Sequence, residues 1–166
     1  MSQILYNGSP VTTYGHLPEV GEKAPHFELL KPDMSTATLQ DFKGKRIIMN
    51  IFPSIDTHVC ATSVRNFSGK AAGLDNTVVL NISRDLPFAQ KRFVEDAKID
   101  NVINLSDYRE RNFGKDYGLE ILDGSMEGLL SRVVIVVDET EKILYTEQVK
   151  DLGHEPNYLE ALKTLL

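Results

Sequence analysis

The sequence predicts an α/β fold, a mixed central sheet flanked by helices and preceded by an N-terminal β-hairpin. Two continuous apolar runs, residues 45–52 and 77–82, have the length and branched-chain content of strands buried on both faces. Each is followed by a stretch with helical spacing, the alternation that builds parallel strand pairs. Two later runs, 132–138 and 142–148, are separated only by Glu139-Thr-Glu141, so the second must return antiparallel to the first.

The hairpin is placed at residues 3–15, because Asn7-Gly8 supplies the positive φ angles of a tight turn. A connector with Pro and Gly, residues 17–25, leads to short strands at 26–30 and 35–39 around Pro32-Asp33. Gly44 and Pro53 bound the first buried run. Residues 58–74 then read as a helix, with Ala61, Val64, Phe67 or Ser68, and Ala71 at helical spacing. After the strand at 77–82, Asp85 is the expected cap of a helix from about 87 to 98, with Pro87 in its first turn. A strand at 102–105, a helix at 108–117 closed by Gly118, and a loop at 119–128 come next. Pro156 opens a final helix with Tyr158, Leu159, Leu162 and Leu165 on one side. Phe27, Phe42, Phe52, Phe67, Phe88 and Phe93 read as core, while Phe42, Phe88 and Phe93 have the alternative of lining an apolar mouth.

A length of 166 residues fits one domain spanning 1–166. Its formal charge of −6 (18 basic against 24 acidic residues) argues against nucleic acid as a partner, because an acidic surface repels phosphates. No run reaches the roughly 18 to 20 apolar residues that span a bilayer. The opening Met-Ser-Gln-Ile-Leu-Tyr-Asn-Gly lacks the basic and apolar regions of a signal peptide, so cytoplasm is the expected location. No His or Cys pair has metal-ligand spacing, so a metal site is not expected, and there is no Gly-rich phosphate loop.

The chemistry is concentrated in Ile51-Phe-Pro-Ser-Ile-Asp-Thr-His-Val-Cys60, which carries the single cysteine of the chain. One cysteine excludes an internal disulfide and leaves two readings, a small buried hydrophobe or a reactive thiol. Its placement favours the second. Cys60 falls in the first turn of a helix just after a central strand, where unpaired N–H groups and the macrodipole favour thiolate over thiol. The carboxyl end of such a strand is where open α/β sheets place their sites, so an exposed sulfur is expected. Thr57 is either a plain helix cap or a hydroxyl turned toward the sulfur or a bound oxygen. Pro53 either stiffens the loop, having no N–H to offer, or merely ends the strand. His58 lies two residues from Cys60, and residues two apart on a helix do not face each other, so a Cys–His pair is not expected.

Pro53-x-x-x-Thr57-x-x-Cys60 resembles the active-site signature of the peroxiredoxin family. Longer stretches resemble its bacterial thiol peroxidase subfamily: Asn50 to Arg65, Ile82-Ser-Arg-Asp-Leu-Pro-Phe-Ala-Gln90, Leu105-Ser-Asp107 and Gly128 to Asp138, with Gly21-Glu-Lys-Ala-Pro-His-Phe27 and the hairpin. The resemblance spans nearly the whole chain. It implies a thioredoxin-like fold, reduction of hydrogen peroxide and organic hydroperoxides through a Cys60 sulfenic acid, no cofactor, and a homodimer. It also implies that Arg132 is the catalytic arginine. A guanidinium near the sulfur favours thiolate and holds a peroxide oxygen as charge develops. Without the resemblance, Arg132 at a strand start reads as a surface charge.

Members of the subfamily usually carry a resolving cysteine where this chain reads Phe88-Ala-Gln-Lys-Arg-Phe-Val94. Val94 forms no disulfide, so an external thiol (thioredoxin, glutaredoxin or a small thiol) is the expected reductant. The alternative is a peroxide sensor that passes oxidation from Cys60 to a partner protein by mixed disulfide. A catalytically retired binding module is the third reading, and intact Pro53, Thr57, Cys60 and Arg132 argue against it.

Overall fold

A computed structural model describes residues 1–166. The hairpin forms from β1 (Ser2–Tyr6) and β2 (Ser9–Thr13), a two-stranded sheet of its own. Asn7 and Gly8 sit at φ 51° and 86°, the two positive angles that match a turn to the twist of its strands. The main sheet comprises β3 (Glu28–Leu30), β4 (Thr36–Thr38), β5 (Arg46–Ile51), β6 (Thr77–Ser83), β7 (Ile103–Ser106), β8 (Val133–Val137) and β9 (Ile143–Gln148). Its order is β4-β3-β7-β6-β5-β8-β9. Strand β6 runs parallel to β5 and β7, and the other pairs are antiparallel. The mixed sheet is the one expected.

Period-two alternation sorts the apolar side chains onto two faces. Ile48, Val79, Val134 and Val136 meet Phe67 and Ala71 of α1 (His58–Ala71) and Ala161 and Leu165 of the C-terminal segment. Ile47, Met49, Ile51, Ile82 and Ile135 face the other way, against Phe27, Phe113 and Tyr117. Phe67 is fully buried and meets Tyr158 edge-on at 4.9 Å, so truncating it to Ala would cost about 3–5 kcal/mol.

Three local expectations are corrected. Helix α2 runs over Pro87–Ala97, but Leu86 is its cap and Asp85 makes no cap bond. Pro87 at the first helical position removes one of the four N–H groups a helix start leaves unpaired, and its fixed φ suits the turn. The expected helix at 108–117 is a single turn, α3 (Phe113–Asp116). Arg111 adopts φ 60°, and its carbonyl accepts from the Arg84 guanidinium. In α4 (Tyr158–Lys163), Ala161 is buried while Leu159 is 65 % exposed, so the apolar side excludes Leu159.

Buried Arg84 bonds Asp107 (3.1 Å), Glu120 (2.9 Å) and the Gly128 carbonyl, tying β6 to β7 and to the 111–128 segment. Burial pushes the Asp107 carboxyl above its ordinary value, against the pull of Arg84. No helix is long and apolar enough to cross a membrane.

Candidate active site

The site is built where β5 ends. The Phe52 N–H still bonds the Ile82 carbonyl (3.1 Å), and Pro53 then turns the chain away from the sheet. Within the loop that follows, the Thr57 N–H and Oγ1 both donate to the Ser54 carbonyl, each at 3.2 Å. Thr57 Oγ1 also accepts from the Cys60 N–H at 3.2 Å, making Thr57 the cap of α1. The cap reading of Thr57 holds, and the residue also lines the cleft described below.

Asp85, freed from capping, faces this loop. Its Oδ1 accepts from Ser54 Oγ (2.7 Å), and its Oδ2 from the Ile55 N–H (2.7 Å) and Ser83 Oγ (2.7 Å). Sequence reasoning missed this arrangement. The available signal was Ser83-Arg-Asp85, a polar cluster at the carboxyl end of a buried central strand.

Arg132 is 2 % exposed, so the surface-charge reading is overturned. Its Nε and Nη2 donate to the Leu152 carbonyl at 3.1 and 2.8 Å. Its Nη1 is buried and has no partner. A charged donor left in that state is costly unless something else fills the bond. Arg132, Pro53, Thr57 and His58 line one cleft of about 250 Å³, whose remaining walls include Tyr6 and Met126. The structure thus brings together three of the four expected residues.

The fourth sits beneath them. Cys60 is 0 % exposed, in an apolar cluster with Phe52, Ile55 and Val64 against which Phe93 and Ile99 pack, and it does not line the cleft. The expected exposed sulfur is therefore corrected: the helix start is solvent-facing at His58, but the side chain at 60 falls on the inward face of α1. Of the aromatics offered as an apolar mouth, Phe42 is core, Phe88 is 65 % exposed, and Phe93 covers the cysteine.

Asp151 joins the hairpin to the Arg132 side of the cleft. Its carboxylate accepts from the N–H groups of Gly153 (2.9 Å), Gly8 (3.0 Å) and Asn7 (3.1 Å). The next residue, Leu152, supplies the carbonyl that holds Arg132. The Gly153 N–H bond, followed by those from Gly8 and Asn7, holds the Asp151 carboxyl below its ordinary value. A depressed carboxyl contributes stability that is present above its unfolded value, near 3.9, and lost as pH falls through the folded one. Asp151→Asn is expected to lower the thermal midpoint at pH 7 and to narrow the gap between pH 7 and pH 3. Thermal melts across that range check it, and an unchanged gap would count against the tie.

The Redoxin family signature matches residues 19–162. The chain is 47% identical to the thiol peroxidase of Mycobacterium tuberculosis over 165 residues, 99% of each chain. A peroxiredoxin-like protein of Aquifex aeolicus superposes with TM-score 0.93 at 35% identity, covering 99% of this chain and 96% of that one. The thiol peroxidase of Chromobacterium violaceum superposes with TM-score 0.92 over 98% of this chain and 94% of that one, and at 22% identity it speaks for the thioredoxin-like fold alone. With its sole cysteine at a capped helix start, the chain belongs to the peroxiredoxin family, as an enzyme of the bacterial thiol peroxidase branch.

Proposed function

We propose that this chain reduces hydrogen peroxide and organic hydroperoxides with Cys60 as nucleophile and an external thiol as reductant. The Cys60 thiolate attacks the terminal peroxide oxygen. A sulfur–oxygen bond forms, the oxygen–oxygen bond breaks, and the leaving oxygen takes a proton to depart as water or an alcohol. An external thiol then displaces water from the sulfenic acid to give a mixed disulfide, and a second thiol releases Cys60. Arg132 binds the peroxide and neutralises charge on the leaving oxygen, Thr57 and the Cys60 N–H orient it, and Pro53 shields the loop from competing donors.

The observation that carries this proposal is Arg132, which lines one cleft with Thr57 and Pro53 and whose Nη1 is buried without a partner. A peroxide oxygen supplies the acceptor that the protein does not. Because the sulfur is covered at rest, reaction requires the apolar cover of Cys60 to move. Support for an external reductant is the sequence itself, which has one cysteine, with Val at 94.

The test is stoichiometric. Reduced protein is expected to consume one equivalent of peroxide per chain, stop, and resume when a thiol is added, with the intermediate trapped by a sulfenic-acid reagent. No consumption by reduced protein would end the peroxidase reading. The relay alternative draws on the same missing second cysteine, since an unresolved sulfenic acid persists. Slow turnover with thioredoxin, glutaredoxin and every small thiol, together with capture of one specific protein as a mixed disulfide, would favour it. We further propose a single functional domain working as a homodimer in the cytoplasm. The family supports this, and sedimentation would test the dimer.

A further inference from the structure

We propose that Asp85 is a positioning residue that latches the 53–57 loop shut over Cys60, so that one carboxylate both orders the peroxide-binding turn and keeps the sulfur covered. Two paths leave this carboxylate. Through Ser54 it fixes the carbonyl that anchors Thr57, and Thr57 Oγ1 in turn holds the Cys60 N–H. Through the Ile55 N–H it fixes the residue whose side chain shares an apolar cluster with the sulfur. The carboxylate is itself braced from behind, by Ser83 Oγ on its Oδ2 and by Ser106 Oγ on the Asp85 carbonyl. Gln90 supports that brace by donating to Ser83 Oγ at 3.1 Å. The loop is thus held from the β6–α2 junction, by a side chain roughly thirty residues away in sequence from the atoms it restrains.

Charge-assisted bonds to a carboxylate are about twice as strong as neutral ones. Removing the acceptor frees Ser54 and Ile55 together, and such a segment then opens locally while the sheet stays folded. Opening has opposite consequences for two reactions at the same sulfur. A reagent that needs only access reacts faster, whereas peroxide, which needs Thr57 and the Cys60 N–H in place, reacts more slowly.

The experiment compares wild type, Asp85→Ala, Ser54→Ala and the double variant, all reduced. Modification of Cys60 by a disulfide reagent such as DTNB is timed beside the peroxide step in rapid mixing. Asp85→Ala is expected to raise the modification rate roughly tenfold or more and to lower the peroxide rate constant by a similar factor, at least the scale of a single charge-assisted bond, since two to the loop are lost. Ser54→Ala should move both rates in the same two directions by less, and adding it to Asp85→Ala should change each by less than it does alone, the remainder being the bond from the Asp56 N–H. The modification rate should also stay flat in low urea, the mark of local opening. Additive effects, rates that fall or rise together, or a modification rate that climbs steeply with urea would overturn the latch. Where Asp85→Ala fails to fold, Ser54→Ala keeps the test, since it removes the bond to Asp85 and the one its hydroxyl accepts from the Asp56 N–H, and leaves Ile55 and Ser83 on the carboxylate. Only the peroxide arm rests on the peroxidase reading. A wild type inert to peroxide would sink that reading while the modification arm still decides the latch.

Discussion

Cys60→Ser is expected to abolish peroxide consumption, by at least about a thousandfold, while leaving the sheet and helices in place. The chain holds one cysteine, so no other thiol can take over. A serine hydroxyl stays protonated at neutral pH and has no general base within its site to activate it. The substitution is nearly isosteric, but it puts a hydroxyl where the cysteine is 0 % exposed among Phe52, Ile55 and Val64. An unmade hydrogen bond there costs about 1–3 kcal/mol. Cys60→Ala avoids that penalty and serves as the matched control, inactive and close to wild type in thermal midpoint. Peroxide assays beside thermal melts of both variants check the expectation. Wild-type consumption by either one would remove the nucleophile from the mechanism.

Arg132→Ala carries the second large effect. Removing one preorganised donor from a charge-stabilising site typically costs about 10²–10³ in rate, and the orphaned Nη1 makes Arg132 such a donor. The peroxide rate constant is expected to fall in that range, with a shift in its pH–rate profile, because the only buried cation beside the cleft is gone. Arg132→Lys separates charge from shape. A lysine restores the charge but not the fork that grips the Leu152 carbonyl with two N–H groups while presenting a third. It is expected to recover less than about tenfold of the loss. Rapid mixing over a pH series measures both variants, and a profile unchanged in Arg132→Ala would refute the role.

Much of the fold was legible because it rests on local rules. The Asn7-Gly8 turn, the doubly buried β5 and β6, the capped start of α1 at Thr57 and the β8–β9 return all follow from residues within a few positions of one another. The motif likewise placed Pro53, Thr57 and Cys60 on one loop and helix start. The errors share a cause. Residues 108–112 have helical composition, but Arg84, some two dozen positions earlier, claims the Arg111 carbonyl and the chain turns left-handed there. Asp85 is a good cap by type, yet Ser54 and Ile55 reach it first.

By itself, then, the sequence determined the strand and helix order, the hairpin, the single cysteine and the absence of a second one to pair with it. Tertiary structure alone decided that the sulfur is covered, that Arg132 is buried with one free N–H, and which carboxylates hold the loop and the hairpin. Turn angles and side-chain periodicity are set by neighbours along the chain. Burial and hydrogen-bond partnership are set by residues as far apart as Asn7 and Asp151, 144 positions, which only folding brings within 3.1 Å.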